Sequence, residues 1–100
     1  MNLAPTTGRI LREARIKNNL SLSDVAKKLQ VSIQMICDVE AGRKALPTKY
    51  VDDWSTAVGE DPDFIAVNIW QQKLEEFNRN RKSSKKIVFK VVPVIQENHA

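Results

Sequence analysis

The feature that most constrains this chain is a pair of helix start signals eleven residues apart. Ser21, followed three residues later by Asp24, and Ser32 are residue types that cap helix N-termini. Apolar residues recur at helical spacing after each signal: Val25, Ala26 and Leu29 after the first, and Ile33, Ile36 and Val39 after the second. The sequence therefore predicts two short helices, over residues 22–29 and 33–40.

The segment between these two helices has about three residues, Gln30, Val31 and Ser32. So short a linker makes the helices cross at a large angle, which is the arrangement of a helix-turn-helix unit. Three more helices are predicted around it, over residues 8–19, over 48–58, and from Pro62 onward with Asp61 as N-cap. We therefore expect an all-α bundle of about five helices.

The two ends of the chain differ from this helical centre. Residues 1–7 are expected to form a polar, flexible arm, and residues 8–66 the helix-turn-helix domain. Residues 67–100 form an extension that holds the end of the last helix, a basic linker over 79–86 and a β-branched segment over 87–95. That last segment is predicted to be a strand. It must pair with a second copy or with another protein, cover a groove, or stay unformed.

Composition argues against most classes of enzyme. A single cysteine, Cys37, excludes an internal disulfide and a zinc site with four cysteines. A single histidine, His99, lies next to the C-terminus, which argues against a zinc protease or a triad in a buried cleft. Three scattered glycines do not make a phosphate-binding loop. We expect no cofactor, no metal and no catalytic activity.

The charge is unevenly distributed along the chain. The net charge is +4, yet residues 1–49 carry nine Lys and Arg against four Asp and Glu. Residues 50–63 carry five acidic residues and no basic one. This distribution favours a polyanionic partner on one face of the protein. No apolar stretch has the length of a signal peptide core or a membrane span, so a cytoplasmic protein is expected.

The order of motifs between residues 8 and 66 carries a family resemblance. In chain order the motifs are Leu11-Arg12 with Arg15, Leu20-Ser21, Val25-Ala26, Val31-Ser32, Ile36, and Glu40 with Gly42-Arg43. Together they resemble the phage repressor and Cro-type helix-turn-helix regulators, also called the XRE family. The resemblance implies a lambda-repressor-like bundle, in which Arg15 and Glu40 form an internal salt bridge. Gln30 departs from the pattern, because glycine is usual at that place in the turn.

The resemblance also implies sequence-specific binding to double-stranded DNA, with the helix that starts near Ile33 inserted in the major groove. The base-contact positions are then Ile33, Gln34 and Asp38. Gln34 could pair with adenine, Ile33 could pack on a thymine methyl group, and Asp38 could accept from cytosine. The backbone-contact positions implied are Ser32, Arg43, Lys44, Lys49 and Arg12.

Family members bind palindromic operators as dimers, with half-sites about 34 Å apart. Trp54 and Phe64 are expected to be buried within the monomer. The expected dimerisation residues lie beyond the usual domain limit: Trp70, Leu74, Phe77 and Phe89. The prediction is a homodimeric repressor. Two alternatives stay open: an antitoxin whose tail binds a toxin, and an adaptor that keeps the fold but binds protein.

Overall fold

The computed structural model describes residues 6–81. In that range it forms α-helices with the following bounds: α1 Thr7–Lys17, α2 Leu22–Leu29, α3 Ile33–Glu40, α4 Val51–Ala57 and α5 Pro62–Asn80. A 3-10 turn, Thr48–Tyr50, precedes α4. The predicted all-α fold with five helices is therefore confirmed over the described range. The predicted strand over 87–95, with Phe89, lies outside the described residues.

The local capping signals set the helix bounds. Ser21 and Asp24 form a complete capping box, in which Ser21 Oγ accepts from the Asp24 amide and the Asp24 carboxylate accepts from the Ser21 amide. Ser32 Oγ accepts from the Met35 amide at 3.1 Å and begins α3. Asp61 caps α5 with Pro62 in its first turn. The predicted bounds of α2 and α3 are confirmed to the residue.

Three predicted boundaries need correction. The helix expected over 8–19 runs from Thr7 to Lys17, with Asn18 as its C-cap. The expected arm over residues 1–7 is too long, because Thr6 Oγ1 accepts from the Arg9 amide and Thr7 is already helical and buried. The helix expected over 48–58 is divided. Its first turn is a 3-10 turn closed by a bond from the Tyr50 amide to the Pro47 carbonyl at 2.9 Å, and the α-helix starts at Val51.

The turn between α2 and α3 is tight and strained at one residue. Gln30 takes a left-handed conformation with φ 56 and ψ 45. This costs a side-chain-bearing residue about 1 kcal/mol relative to glycine. The Val31 amide then donates to the Ala26 carbonyl at 3.0 Å, and Val31 packs against the core. The turn thus sets α3 across α2 even though the expected glycine is absent.

The core lies where α1 to α5 meet. Its buried apolar residues are Leu11, Val25, Ala26, Leu29, Ile36, Val39, Trp54, Val58 and Ile65. The prediction that Trp54 is buried is confirmed, because its exposed fraction is 0%. The same prediction for Phe64 is wrong, because Phe64 is 44% exposed. Ile65 takes the inward position instead. Successive helical residues point about 100° apart, so when Ile65 faces the core, Phe64 is turned toward solvent.

Gly8 allows α1 to approach the end of α3 closely. A Cβ at this position would overlap the carbonyl oxygen of Val39 and lie 2.9 Å from that of Glu40. Gly8 is buried within α1, so the absence of a side chain sets the distance between the two helices.

Within residues 6–81, no helix is both long enough and apolar enough to cross a membrane.

Candidate nucleic-acid interface

Helix α3 buries one face and exposes its leading end. Ile36, Val39 and Glu40 are buried against the other helices. Ile33, in the first turn, is 48% exposed, and Gln34 beside it is also exposed. An α-helix with its side chains is about 10–12 Å across, which matches the width of a DNA major groove of about 12 Å. The first turn of α3 is therefore the part that the described protein leaves open to a ligand.

An ion pair fixes the other end of α3 to α1. Arg15 Nε lies 2.7 Å from Glu40 Oε2, and Arg15 Nη2 lies 3.0 Å from Glu40 Oε1. The third guanidinium nitrogen, Nη1, donates to the Leu20 carbonyl at 2.9 Å. The hydrogen bonds to Glu40 raise the pKa of Arg15 despite the opposing effect of burial. The bidentate geometry restrains both the distance and the orientation between α1 and α3.

A second polar cluster lies where α3 gives way to the following loop, and its centre is the Asp38 carboxylate. Asp38 Oδ1 accepts from Gln34 Nε2 at 3.0 Å and from Arg43 Nε at 2.9 Å, while Lys44 Nζ lies 3.9 Å from Oδ2. The hydrogen bond from Arg43, and next that from Gln34, lower the pKa of Asp38. We call these four residues the Asp38 cluster.

The backbone at this point reinforces the Asp38 cluster. Gly42, with φ 81, turns the chain after α3. The Asp38 carbonyl then accepts from the amides of Arg43 at 2.8 Å and Lys44 at 3.2 Å. Asp38 thus holds the two basic residues through its main chain as well as its side chain, and it places them beside the outer face of α3.

The structure brings some of the predicted site residues together and leaves others apart. Gln34, Asp38, Arg43 and Lys44 form one cluster, and the residues predicted for the salt bridge lie in an ion pair. Arg12 is exposed on α1, and Lys49 is exposed in the 3-10 turn with its ammonium 5.1 Å from the centre of the Tyr50 ring. Neither of them touches the Asp38 cluster.

Sequence reasoning missed the bond between Gln34 and Asp38. Its signal is the spacing of four residues within a helix, at which Gln and Asp side chains meet. The bond from Arg43 had no such signal, because Arg43 lies beyond the helix end and its position depends on the turn at Gly42.

Helix α5 presents a second open surface. Trp70 is 60% exposed and Phe77 is 53% exposed, while Leu74 between them is half-buried. Lys73 Nζ lies 4.9 Å from the Trp70 ring centre, and the Arg81 guanidinium carbon lies 5.5 Å from that of Phe77. Of the four predicted dimerisation residues, the three on α5 thus lie along one exposed stretch. We call Trp70, Leu74 and Phe77 the α5 seam.

The described residues contain no group of three His, Cys, Asp or Glu side chains that could hold a metal ion. The polar groups along the outer face of α3 and in the loop after it include the Ser32 hydroxyl and the Gln34 amide. The others are the Asp38 carboxylate, the Arg43 guanidinium and the Lys44 ammonium. Such groups recognise base edges and phosphates by hydrogen bonds and charge.

Comparison with known proteins places the chain in a family. A family model described as helix-turn-helix matches residues 11–65. A search of curated proteins finds no match. Among solved structures, the chain is similar to the clp gene regulator ClgR from C. glutamicum, with 21% sequence identity and a TM-score of 0.56 over 66% of this chain and 86% of that one. This likeness extends to the fold. Because the family model spans more than half of the chain, the protein belongs to the XRE-type helix-turn-helix family of DNA-binding regulators.

Proposed function

We propose that the protein is a sequence-specific transcriptional repressor that reads the DNA major groove with α3 and binds a palindromic operator as a homodimer. The observation that carries this proposal is the open first turn of α3. The helix is fixed by its buried face and by the ion pair between Arg15 and Glu40, yet Ile33 and Gln34 remain exposed. A rigid helix with a free leading end suits insertion into a groove.

Two kinds of contact follow from this placement. Gln34 offers an amide that can bond the edge of adenine, and Ile33 offers an apolar surface for a thymine methyl group. Ser32, Arg43 and Lys44 lie at either end of α3, and Lys49 and Arg12 lie on neighbouring elements. These five residues are proposed to contact the phosphate backbone, which sets the position of the helix without specifying sequence.

The α5 seam supports the homodimer. Its exposed rings offer apolar surface that a second copy could cover, and a two-fold pair of α3 helices would match two half-sites about 34 Å apart. A dimer seated on an operator excludes other proteins from that DNA, so repression needs no further surface on this chain.

The direct test is to select bound sequences from a random double-stranded DNA pool. We expect enrichment of a palindrome whose half-site centres are about 10 base pairs apart. Gln34→Ala should then cost about 1–3 kcal/mol at a single base position. Failure of the wild-type protein to enrich any sequence would overturn the proposal, and an equal loss on all sequences would remove Gln34 from the base-reading role.

The backbone contacts are tested by the salt dependence of binding. Lys44→Ala should weaken binding equally on all sequences and reduce the slope of log affinity against log salt by about one unit. Lys17→Ala is the matched control, since Lys17 is also exposed but lies at the end of α1. Equal slopes for the two variants would exclude a phosphate contact by Lys44.

A further inference from the structure

We propose that Asp38 is a positioning residue for sequence readout, whose carboxylate fixes the Gln34 amide in the orientation that selects adenine. This proposal rests on the proposed function, and it replaces the expectation that Asp38 itself contacts a base. The observation behind it is that one oxygen, Asp38 Oδ1, accepts from both Gln34 Nε2 and Arg43 Nε, at 3.0 Å and 2.9 Å.

The relative exposure of the three side chains indicates which of them meets a ligand. The Asp38 side chain is 13% exposed, whereas that of Arg43 is 59% exposed and Gln34 is exposed. The carboxylate therefore lies beneath its partners. A base that donated to Asp38 would have to displace Gln34 or Arg43 from Oδ1, with the loss of a hydrogen bond that a charged acceptor strengthens.

The bond to Asp38 selects one of the two orientations of the Gln34 amide. A glutamine amide has an oxygen that accepts and a nitrogen with two N–H donors, and rotation by 180° exchanges them. The carboxylate is only an acceptor, so it attracts the nitrogen and repels the oxygen. Oε1 and the second N–H of Gln34 then remain available to a base.

This remaining pattern of one acceptor and one donor matches a single purine. Adenine presents a donor at N6 and an acceptor at N7, whereas guanine presents acceptors at both O6 and N7. To bond both guanine acceptors, Gln34 would need both of its N–H groups, and Asp38 already holds one of them. Asp38 thus converts an amide that could adapt to either purine into one that prefers adenine.

Arg43 makes this arrangement compatible with DNA. A bare carboxylate near the groove would repel the phosphates, but Arg43 Nε on Oδ1 and Lys44 Nζ at 3.9 Å from Oδ2 offset its charge. The remaining N–H groups of the Arg43 guanidinium are free to point toward a phosphate, since Asp38 is bonded by Nε alone. The cluster therefore orients the base-reading residue and places a cation beside it.

The test compares sequences enriched from one random double-stranded DNA pool by the wild type, Gln34→Ala, Asp38→Ala and Asp38→Asn. Gln34→Ala identifies the base position that Gln34 reads. We expect Asp38→Ala to reduce the preference for adenine over guanine at that same position by at least fivefold, with other positions unchanged. Asp38→Asn should retain most of the preference, because Arg43 Nε donates to the same oxygen and so keeps the acceptor side of the Asn amide facing Gln34.

A second measurement needs no DNA. In an NMR spectrum of the free protein, the chemical shifts of the Gln34 side-chain amide protons should change in Asp38→Ala. In Asp38→Asn they should lie close to their wild-type values. Thermal unfolding checks that each variant is folded. If Asp38→Ala does not fold, Asp38→Leu takes its place, since leucine supports a helix and offers no acceptor.

The outcomes separate this inference from the proposed function. If Asp38→Ala changes a base position other than the one that Gln34→Ala changes, Asp38 reads a base itself and the inference is wrong. If Asp38→Ala leaves the preference for adenine over guanine unchanged, or leaves the chemical shifts of the Gln34 amide unchanged, the inference is also wrong. Neither result would affect the proposed function. A wild-type protein that enriches no sequence would overturn both, whatever the amide resonances show.

Discussion

Helices α3 and α5 both expose apolar side chains, but the rest of the protein holds them in different ways. In α3, Ile33 is 48% exposed, yet three of the eight residues of the helix are buried and Glu40 is bonded to Arg15. In α5, one of nineteen residues is buried, Ile65 in the first turn. Exposure on α3 thus accompanies a helix fixed by buried residues and an ion pair, whereas α5 has its one buried residue in its first turn and is otherwise held by partly buried contacts such as that of Ile69 with the core.

This difference indicates what each surface suits. A fixed helix with polar groups in set positions suits a rigid ligand whose hydrogen-bonding groups are also fixed, such as a DNA groove. The α5 seam exposes the aromatic rings of Trp70 and Phe77, each with a cation, Lys73 or Arg81, near the ring. Such a surface suits a partner that also presents apolar and aromatic side chains. A bond from Thr7 Oγ1 to Asn68 Oδ1 at 2.8 Å ties the middle of α5 to α1.

The sharpest test of fixation is to break the ion pair that holds α3. Arg15→Met should destabilise the protein by about 3 kcal/mol, because it leaves the Glu40 carboxylate, whose side chain is 5% exposed, without its partner. Arg9→Met is the matched control. Arg9 pairs with Glu13 at 3.0 Å, but their side chains are 67% and 60% exposed, so the loss should be below about 1 kcal/mol. Urea unfolding measures both, and similar losses would mean that the buried pair does not fix α3.

The second test concerns the packing of α1 on α3. Gly8→Ala should cost about 2 kcal/mol or more, because its Cβ would overlap the Val39 carbonyl oxygen and separate the two helices. Gly42→Ala offers a comparison in open space, where nothing lies within 4 Å and the expected cost is about 1 kcal/mol for the positive φ. A smaller loss for Gly8→Ala than for Gly42→Ala, measured by the same unfolding assay, would show that the close contact does not limit stability.

The same contrast explains which features the sequence could predict. The starts of α2 and α3 depend on caps made by residues three positions apart, so Ser21, Asp24 and Ser32 were sufficient to place those starts. The position of Trp54 in the core also followed from local spacing. These features involve neighbours in the chain, and the sequence shows such neighbours directly.

Features that depend on contacts between distant elements could not be predicted in the same way. Whether Phe64 or Ile65 faces inward depends on the phase of α5 against α4, which the turn between them sets and no spacing reveals. The role of Gly8 depends on the backbone of Val39, far along the chain. At the site, the place of Asp38 depends on Arg43 returning to it across the turn at Gly42.

A third test concerns the α5 seam. Truncation of its two rings, Trp70→Ala with Phe77→Ala, should weaken self-association at least tenfold, about 1.4 kcal/mol, as measured by sedimentation equilibrium. Phe64→Ala is the control, because Phe64 is also an exposed aromatic residue of α5, at 44% exposure, but it lies outside the seam. A dimer that weakens with Phe64→Ala and not with the double variant would place the interface elsewhere.

The smallest expected effect is on how the free energy of unfolding changes at acid pH. The hydrogen bonds from the Ser21 amide and hydroxyl lower the pKa of Asp24, and those from Arg43 and Gln34 lower the pKa of Asp38. Since the unfolded chain takes up these protons at higher pH than the folded one, the free energy of unfolding should decrease as the pH falls below about 3.9. The effect is small because Asp24 is exposed, and because Gln34 and Arg43, which bond Asp38, are exposed as well, so that salt screens both interactions.

The variant Asp24→Asn with Asp38→Asn isolates this contribution. Urea unfolding between pH 7 and pH 3 should show a shallower decline for the double variant than for the wild type, and added salt should reduce the difference. Both carboxylates lie in the α2–α3 unit, so the lost stability belongs to the part of the molecule that presents the reading helix. An identical decline in the two proteins would mean that these hydrogen bonds hold the side chains in position without stabilising the fold. In that case the order at the α3 surface would come from the buried ion pair and the core alone.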